Sequence, residues 1–273
     1  MRTVPAMNGL QWIVDALRLF LRGGGVLLVQ AMLLLLLTQI PLLGFFISLL
    51  LSPALLAGMI ASAAQLAQGQ RPGIGGLFRA FDGKHRLPGL IALCLPGIVL
   101  GLLFVIALSV VLLHATGGDP AAVEALQANP KALFALLGAH AGALLLLAFV
   151  LLLLGMALTF FAAAQVMLAG QGGFAAMGQS VRAVLRNVLA LLLMLIALMV
   201  LGVIGGLLFA VLVRLGAGFG AWWQVLWTLV LFVLGYAYSA TLMYVAWRDV
   251  FGASMQAQFG GASSDTQQVH AEM

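Results

Sequence analysis

Four side chains able to bind a metal ion lie in or near the most polar internal stretch of the sequence, residues 114–131. His114 opens this stretch, Asp119 and Glu124 lie within it, and His140 follows it. Imidazole and carboxylate groups are common ligands of divalent metals. Their spacing matches no specific ligand motif, however, and a histidine near a helix end is commonly an interfacial residue. The pattern therefore predicts no metal site and no cofactor.

The patterns of an enzyme are also missing from the sequence. The glycine-rich pieces at 73–76 and 170–173 follow no strand and lack the lysine and hydroxyl residue of a phosphate-binding loop. There is no HExxH motif and no Ser/His/Asp set or carboxylate pair at a plausible depth. The single cysteine, Cys94, lies in an apolar run and is expected to be a small buried residue. We predict no catalytic residue and a protein that is not an enzyme.

Uncharged polar side chains occur inside the apolar runs, the most notable being Gln30, Thr159 and Gln165. No Asp, Glu, Lys or Arg lies near the centre of any predicted membrane span, which argues against proton or ion transport because such proteins usually keep ionisable groups there. We expect these three side chains to form hydrogen bonds between helices. The alternative is that they line a path for a small neutral or apolar solute.

Basic side chains cluster beside the apolar runs and not along a soluble face. Such residues bind anionic lipid headgroups and set the orientation of a membrane protein, so nucleic acid is not the expected partner. The candidates for lipid contact and topology are Arg18, Arg22, Arg79, Lys84, Arg86, Arg182 and Arg186.

The composition predicts the elements that position these residues. Hydrophobic residues make up 64% of the chain and charged residues 7%, with a mean hydropathy of +1.19. Long apolar runs favour helices over a β-barrel, since in lipid each backbone group must find its partner within the segment. The sequence therefore predicts an all-α integral membrane protein.

The apolar runs divide into about six spans within one membrane domain, residues 1–251. No charged residue lies between 23 and 70, and a bilayer needs about 20 residues per helix, so two spans fit there. Pro41 and the polar pair before it mark the turn between them. The run 132–168 exceeds one crossing and is taken as a single tilted span. The spans are placed at about 23–39, 44–67, 87–113, 138–168, 189–213 and 222–247, and a disordered tail at 252–273.

An amphipathic segment precedes each pair of spans. Residues 8–22 place Leu10, Ile13, Leu17, Phe20 and Leu21 on one helical stripe, with Gln11, Asp15, Arg18 and Arg22 on another. Similar stripes occur at Ile74, Leu77, Phe78 and Phe81, and at Phe174, Met177, Val181, Val184, Leu185 and Val188. Asp15 and Arg18 are expected to form a surface ion pair. These segments suggest three helical hairpins, although any arginine-rich linker of a membrane protein resembles them.

The distribution of basic residues predicts the orientation. With the N-terminus inside and six spans, ten Lys and Arg side chains lie in the cytoplasm and only Lys131 and Arg214 outside. This agrees with the positive-inside rule, so both termini are expected to be cytoplasmic.

Several short segments, in order along most of the chain, resemble one family. They are VPAMNGLQWIVDALRLF at 4–20, IPLLG at 40–44 followed by Pro53 and Gly58, LFRAF at 77–81 and YVAWRDVFG at 244–252. In them the chain is similar to an uncharacterised family of proteobacterial multi-pass inner-membrane proteins. That resemblance implies a bacterial inner-membrane location and supplies no catalytic residues. The three glycines at 23–25 depart from the proline or bulky residue expected in relatives.

We expect a membrane scaffold that interacts with anionic lipids or with protein partners. The alternative is a transporter or exporter of a small neutral or apolar solute. Small residues four apart allow helices to approach closely, within the bundle or between copies of the chain. They are Ala54-Gly58-Ser62, Gly97-Gly101, Gly202-Gly206 and Gly235-Ser239.

Overall fold

The structure is a computed structural model that describes residues 1–82 and 86–271. It is all-helical, with 86% of residues in helices and no strand among the residues described. The predicted all-α class is confirmed.

The chain folds into thirteen α-helices and three short helical turns within the described ranges. In order they are α1 Asn8–Gly23, α2 Gly25–Thr38, α3 Leu43–Phe46, a π-helical turn Ile47–Leu51, α4 Ser52–Ala67, a 3-10 helix Ile74–Phe81, α5 Arg86–Ala92, α6 Cys94–Thr116, α7 Pro120–Ala128, α8 Pro130–Ala139, α9 Ala141–Thr159, α10 Ala162–Ala169, α11 Gly173–Arg186, α12 Val188–Leu215, a 3-10 turn Ala217–Phe219 and α13 Ala221–Ala271.

Five helical segments are long and apolar enough to cross a membrane, or up to six if the bent pair α1 and α2 counts as one span. The backbone hydrogen bonds of a helix lie within the helix, so such segments can be buried in lipid without leaving backbone N–H and C=O groups unpaired. They are Gly44–Ala67, Arg86–Thr116, Ala141–Ala169, Val188–Leu215 and Ala221–Gly252. The predicted number of about six agrees with this range, and the run 132–168 contains one such segment.

The first predicted span, 23–39, is shorter than expected. Its helix α2 has 14 residues, about 21 Å of helix, whereas a hydrocarbon core is about 30 Å thick. It meets α1 at an angle of 92°. Glycine is needed in this bend, because a Cβ at Gly24 would lie 2.5 Å from the Phe20 carbonyl oxygen. The pair α1–α2 is therefore two helices joined at a sharp bend, and α2 counts toward a sixth membrane span only as part of this pair.

Two of the long segments are interrupted. Between α5 and α6 the break lies three residues before Pro96, whose ring cannot donate the backbone hydrogen bond that a continuous helix needs. Between α9 and α10, the backbone N–H of Phe161 donates to Ser180 Oγ at 3.1 Å, and this hydroxyl donates to the Ala157 carbonyl at 2.8 Å. Ser180 on α11 thus links the two helices at their break.

The core lies at one end of the bundle, where α1, α4, α10, α11 and the last turns of the α13 span meet. We call it the basic end, because α1, the 3-10 helix at 74–81 and α11 with their arginines lie there. Away from it burial is sparse: α9 contributes no buried side chain, and α12 buries only Ala190, Leu191 and Met194. The remaining surfaces of α6, α9 and α12 are apolar and exposed, as lipid-facing surfaces are.

Helix α13 packs mainly against α1, α4 and α2, and α6 packs against α9. The contacts of α2 with α4 and of α12 with α13 are smaller. Helix α13 ends at Ala271 and so includes most of the predicted tail, residues 252–273. The predicted disorder of that tail stays a prediction.

Only one of the small-residue patterns mediates close packing within the described part of the chain. A Cβ at Gly58 would overlap the carbonyl of Leu77 in the 3-10 helix. In contrast, a Cβ at Gly97, Gly101, Gly202, Gly206 or Gly235 would meet nothing within 4 Å. At these glycines, therefore, no other described residue makes a close contact.

Gly9 provides a test of how α1 is attached. A Cβ at this position would overlap the Ala190 carbonyl of α12, so we expect Gly9→Ala to lower stability by about 1–3 kcal/mol. Gly178→Ala on α11 is the matched control, because its Cβ would meet nothing and alanine favours a helix by about 0.5–1 kcal/mol. Thermal unfolding in detergent measures both. Equal melting temperatures for the two variants would contradict the contact.

Candidate functional site

In the structure helix α1 has three distinct faces, whereas the sequence predicts two stripes, one apolar and one polar. The face that packs into the core is formed by Gly9, Trp12, Ala16 and Leu19, which belong to neither predicted stripe. On the predicted apolar stripe, Ile13 and Phe20 are half-buried, while Leu17 and Leu21 are exposed, Leu21 by 75%. The polar stripe with Arg18 and Arg22 is exposed. The helix therefore presents an apolar face and a basic face outside the protein.

Helix α11 has the same three faces. Its buried side is formed by Gly173, Ala176, Met177, Ser180 and Ala183. Of the predicted apolar stripe only Met177 is buried, while Phe174 is 71% and Leu185 69% exposed. The basic side chains Arg182 and Arg186 are exposed on the third side. At 100° per residue, the core, apolar and basic faces follow one another in the same rotational order in α1 and α11.

The segment between α4 and α5 folds into the bundle instead of lying free on its surface. Its 3-10 helix buries Leu77 and Ala80 and exposes Ile74, Phe78 and Phe81. Gln30 on α2 fixes it, since its Nε2 donates at 3.0 Å to the Gly73 carbonyl and at 3.0 Å to Ser62 Oγ on α4.

A carboxylate joins the two ends of the membrane domain. Asp249 on α13 accepts hydrogen bonds from Asn8 Nδ2 at 2.8 Å and Trp12 Nε1 at 2.8 Å, and pairs with the guanidinium of Arg2. Charge-assisted bonds of this kind are stronger than bonds between neutral groups. Three donors therefore hold α1 and the N-terminal segment against α13.

A buried asparagine fixes the same N-terminal segment from the other side. Asn187 lies between α11 and α12; its Oδ1 accepts from the Val4 N–H at 2.8 Å, and its Nδ2 donates to the Arg2 carbonyl at 3.3 Å. Sequence reasoning did not single out Asp249 or Asn187. One signal was present: Asp249 is the only acidic residue between 125 and 264, at the end of an apolar run.

The cavity beside this cluster has a volume of about 510 Å³ and balanced charge. Two basic and two acidic side chains line it, so it has no net attraction for an anion or a cation. Its lining residues are Arg2, Asn8, Gln11, Trp12, Asp15, Val245, Arg248, Asp249 and Gly252.

The predicted lipid-contact residues lie at the basic end as far as they are described. Arg18 forms the predicted pair with Asp15 at 3.2 Å, and both side chains are largely exposed. Among the described residues, the other predicted arginines make no ion pair with a carboxylate. Of these Arg79 is half-buried, and Arg22, Arg86, Arg182 and Arg186 are exposed. Lys84 lies outside the described residues.

The three intramembrane polar residues differ in their bonding. Gln30 bonds across helices to Ser62, as expected. Thr159 donates to the Gly155 carbonyl at 2.8 Å in its own helix, so the bond expected between helices is not formed there. Gln165 is buried, and its Nε2 has no partner in the described part of the chain. No hydrogen bond joins any two of these three side chains within the described part of the chain.

The histidine and carboxylate residues around 114–140 form no candidate metal centre. Within residues 1–82 and 86–271, no three His, Cys, Asp or Glu side chains are placed to hold a metal ion.

Comparisons with known proteins identify no relative: no family model, no curated protein and no solved structure matches the chain.

The Asp249 cluster predicts a difference between two aspartates. Asp249→Ala leaves three donors without their acceptor, and we expect a loss of about 2–3 kcal/mol with faster hydrogen exchange in residues 1–8. The control Asp15→Ala removes only an exposed pair, which is worth less than about 1 kcal/mol. Thermal unfolding and hydrogen exchange measure the two effects. A similar, small change in both variants would show that the cluster does not hold α1.

Proposed function

We propose that this chain is a non-enzymatic, multi-pass inner-membrane protein whose basic end rests on anionic lipid and forms a scaffold for lipid or protein partners. The observation that carries the proposal is the three-faced form of α1 and α11. Each helix packs one side into the core and leaves a side of large apolar residues next to a side of arginines.

This arrangement is the one that a helix needs at the edge of a bilayer. Exposed Leu21 and Phe174 would be costly in water, at about 25 cal/mol per Å² of apolar surface, and are stabilised among acyl chains. Arginines at the adjacent face reach headgroup phosphates, each worth about 1 kcal/mol near an anionic surface.

The contacts that hold α1 against the bundle favour a role as a rigid scaffold over a role as a loosely attached membrane anchor. Asp249 and the Gly9 contact fix α1 against α13 and α12, and Asn187 fixes the segment that precedes it. The basic face of α1 therefore has a set position relative to the bundle. A partner lipid or protein would meet a preformed surface, which reduces the entropy cost of binding.

The finer architecture is part of the same proposal. We propose three hairpins, α2–α4, α6–α9 and α12–α13, introduced by α1, the 3-10 helix at 74–81 and α11. The packing of α6 against α9 supports the second hairpin, and smaller contacts join α2 to α4 and α12 to α13. The excess of Lys and Arg at the basic end supports cytoplasmic termini. A bacterial inner membrane and membership of the uncharacterised family rest on the sequence resemblance, and self-association or other membrane proteins are the proposed protein partners.

The alternative, transport of a small neutral or apolar solute, has one observation in its favour. A cavity of about 270 Å³ with Ser48, Ser52 and Cys94 in its wall lies at the π-helical turn, a type of distortion often found at functional sites. It shares Gly155 and Thr159 with an apolar groove of about 550 Å³ between α6 and α9. Gln30 and Gln165, which the transport hypothesis requires, line neither cavity.

The positions of the faces can be measured in the membrane. We expect a fluorophore on Leu21→Cys or Leu185→Cys, each in a Cys94→Ala background, to be quenched strongly by lipids brominated on their acyl chains. The matched control positions are Gln11→Cys and Gln179→Cys, on the polar sides of the same helices, where quenching should be several-fold weaker. Equal quenching at all four positions would contradict the membrane-surface arrangement.

Lipid selectivity tests the role of the arginines. The full chain, purified from equimolar phosphatidylglycerol and phosphatidylcholine, should retain a several-fold excess of phosphatidylglycerol. The triple variant Arg18→Gln, Arg182→Gln, Arg186→Gln should lose most of this excess, and higher salt should reduce it because exposed charges are screened. Arg214→Gln, at the opposite end of α12, is the control and should change little. No enrichment in the unsubstituted chain would overturn the proposal.

A further inference from the structure

A second cavity at the basic end differs from the one beside Asp249. It has a volume of about 500 Å³ and lies in the bend between α1 and α2, against the end of α4 and the residues that follow. Its lining residues are Arg22, Gly23, Val26, Leu66, Ala67, Gly69, Gln70, Arg71 and Pro72.

The charge in this cavity is entirely positive. Arg22 and Arg71 are its only ionisable lining residues among those described. Both side chains are exposed, and neither guanidinium makes a hydrogen bond or an ion pair within the described part of the chain. By contrast, Arg2 pairs with Asp249, Arg18 with Asp15, and Arg248 lies 5.7 Å from the ring centre of Tyr244. Two guanidinium groups are thus free to bind one anion.

Phosphate is the anion that this arrangement fits. Guanidinium donates two parallel hydrogen bonds to phosphate oxygens, and two arginines can hold a single phosphate group. The helix ends do not add to this attraction, because the first turn of α2 carries a partial positive charge while the last turns of α1 and α4 each carry a partial negative charge. The attraction therefore depends on the two arginines.

Part of the cavity lining is apolar, which distinguishes a lipid from free phosphate. Val26, Leu66 and Ala67 are the aliphatic lining residues. About one turn further along α2, Val29 is exposed. An acyl chain attached to a phosphate at the arginines could contact these side chains.

We propose that this cavity binds one anionic phospholipid, with its phosphate between Arg22 and Arg71 and its first acyl chain along Val26 and Val29. The site rests on the proposed function, since it needs the basic end to lie at the headgroup region. It adds to that function a single defined site for one lipid among the many that contact the surface.

The test counts bound lipid on the full chain in detergent by native mass spectrometry, with phosphatidylglycerol as the probe. We expect one lipid that survives dilution. Arg22→Gln with Arg71→Gln should weaken its binding about 25-fold, at about fivefold per arginine near a lipid surface. Arg182→Gln with Arg186→Gln, an equal loss of charge at the same end, should change it by less than twofold. Inorganic phosphate at millimolar concentration should not displace the lipid.

Three results would overturn the site: equal weakening in the two double variants, no weakening in either, or displacement by inorganic phosphate, which would make it a site for the free ion. If the glutamine variant does not fold, Arg22→Lys with Arg71→Lys is tested instead, because it keeps the charge and removes the guanidinium fork. This variant should weaken binding several-fold, and unchanged affinity overturns the site.

The general enrichment of phosphatidylglycerol is measured separately. If only the bound lipid is lost, the site is wrong and the proposed function stands. If only the enrichment is lost, the proposed function is wrong and the site stands.

Discussion

The carboxylate of Asp249 is the interaction on which the basic end depends. It accepts hydrogen bonds from Asn8 and Trp12 and pairs with Arg2, and so joins the beginning of the chain to the end of the last membrane-crossing segment. Without this acceptor, the side chains of Asn8 and Trp12 would have no hydrogen-bond partner within the described part of the chain, and this polar link between α1 and α13 would be lost. With it, one side of α1 is held against protein, and its apolar and basic sides are exposed.

Much of the architecture can be predicted from the composition and from the positions of proline and polar residues. The apolar runs predict the helices, because a helix satisfies its backbone hydrogen bonds within its own segment. The polar pair before Pro41 predicts the first turn, because proline disrupts a helix at its own position. The pair Asp15–Arg18 is also local, three residues apart. The third face of α1 cannot be predicted in this way. Trp12 and Leu17 are both apolar, and only the packing of α12 and α13 determines which of them is buried.

The partners of the site residues are distant in sequence, which is why a single sequence does not reveal them. Trp12 and Asp249 are 237 residues apart, and Gln30 bonds to Ser62 and to Gly73 across two other segments. The spacing of glycines along a helix likewise does not predict which of them pack against another helix. Gly58 lies against the Leu77 carbonyl, while Gly202 and Gly206 show the same spacing and meet nothing within the described chain. A small residue permits close approach without specifying a neighbour.

The shortness of α2 has a consequence for the bilayer itself. This helix offers about 21 Å of apolar length where the neighbouring helices offer more than about 30 Å, and Val29, Met32 and Leu36 on its outer side are exposed. In the proposed six-span arrangement, the bilayer beside α2 would have to be thinner than elsewhere, because each ångström of mismatch at the ends of α2 costs free energy. The bend that holds Arg22 would then lie at the edge of this thinner region.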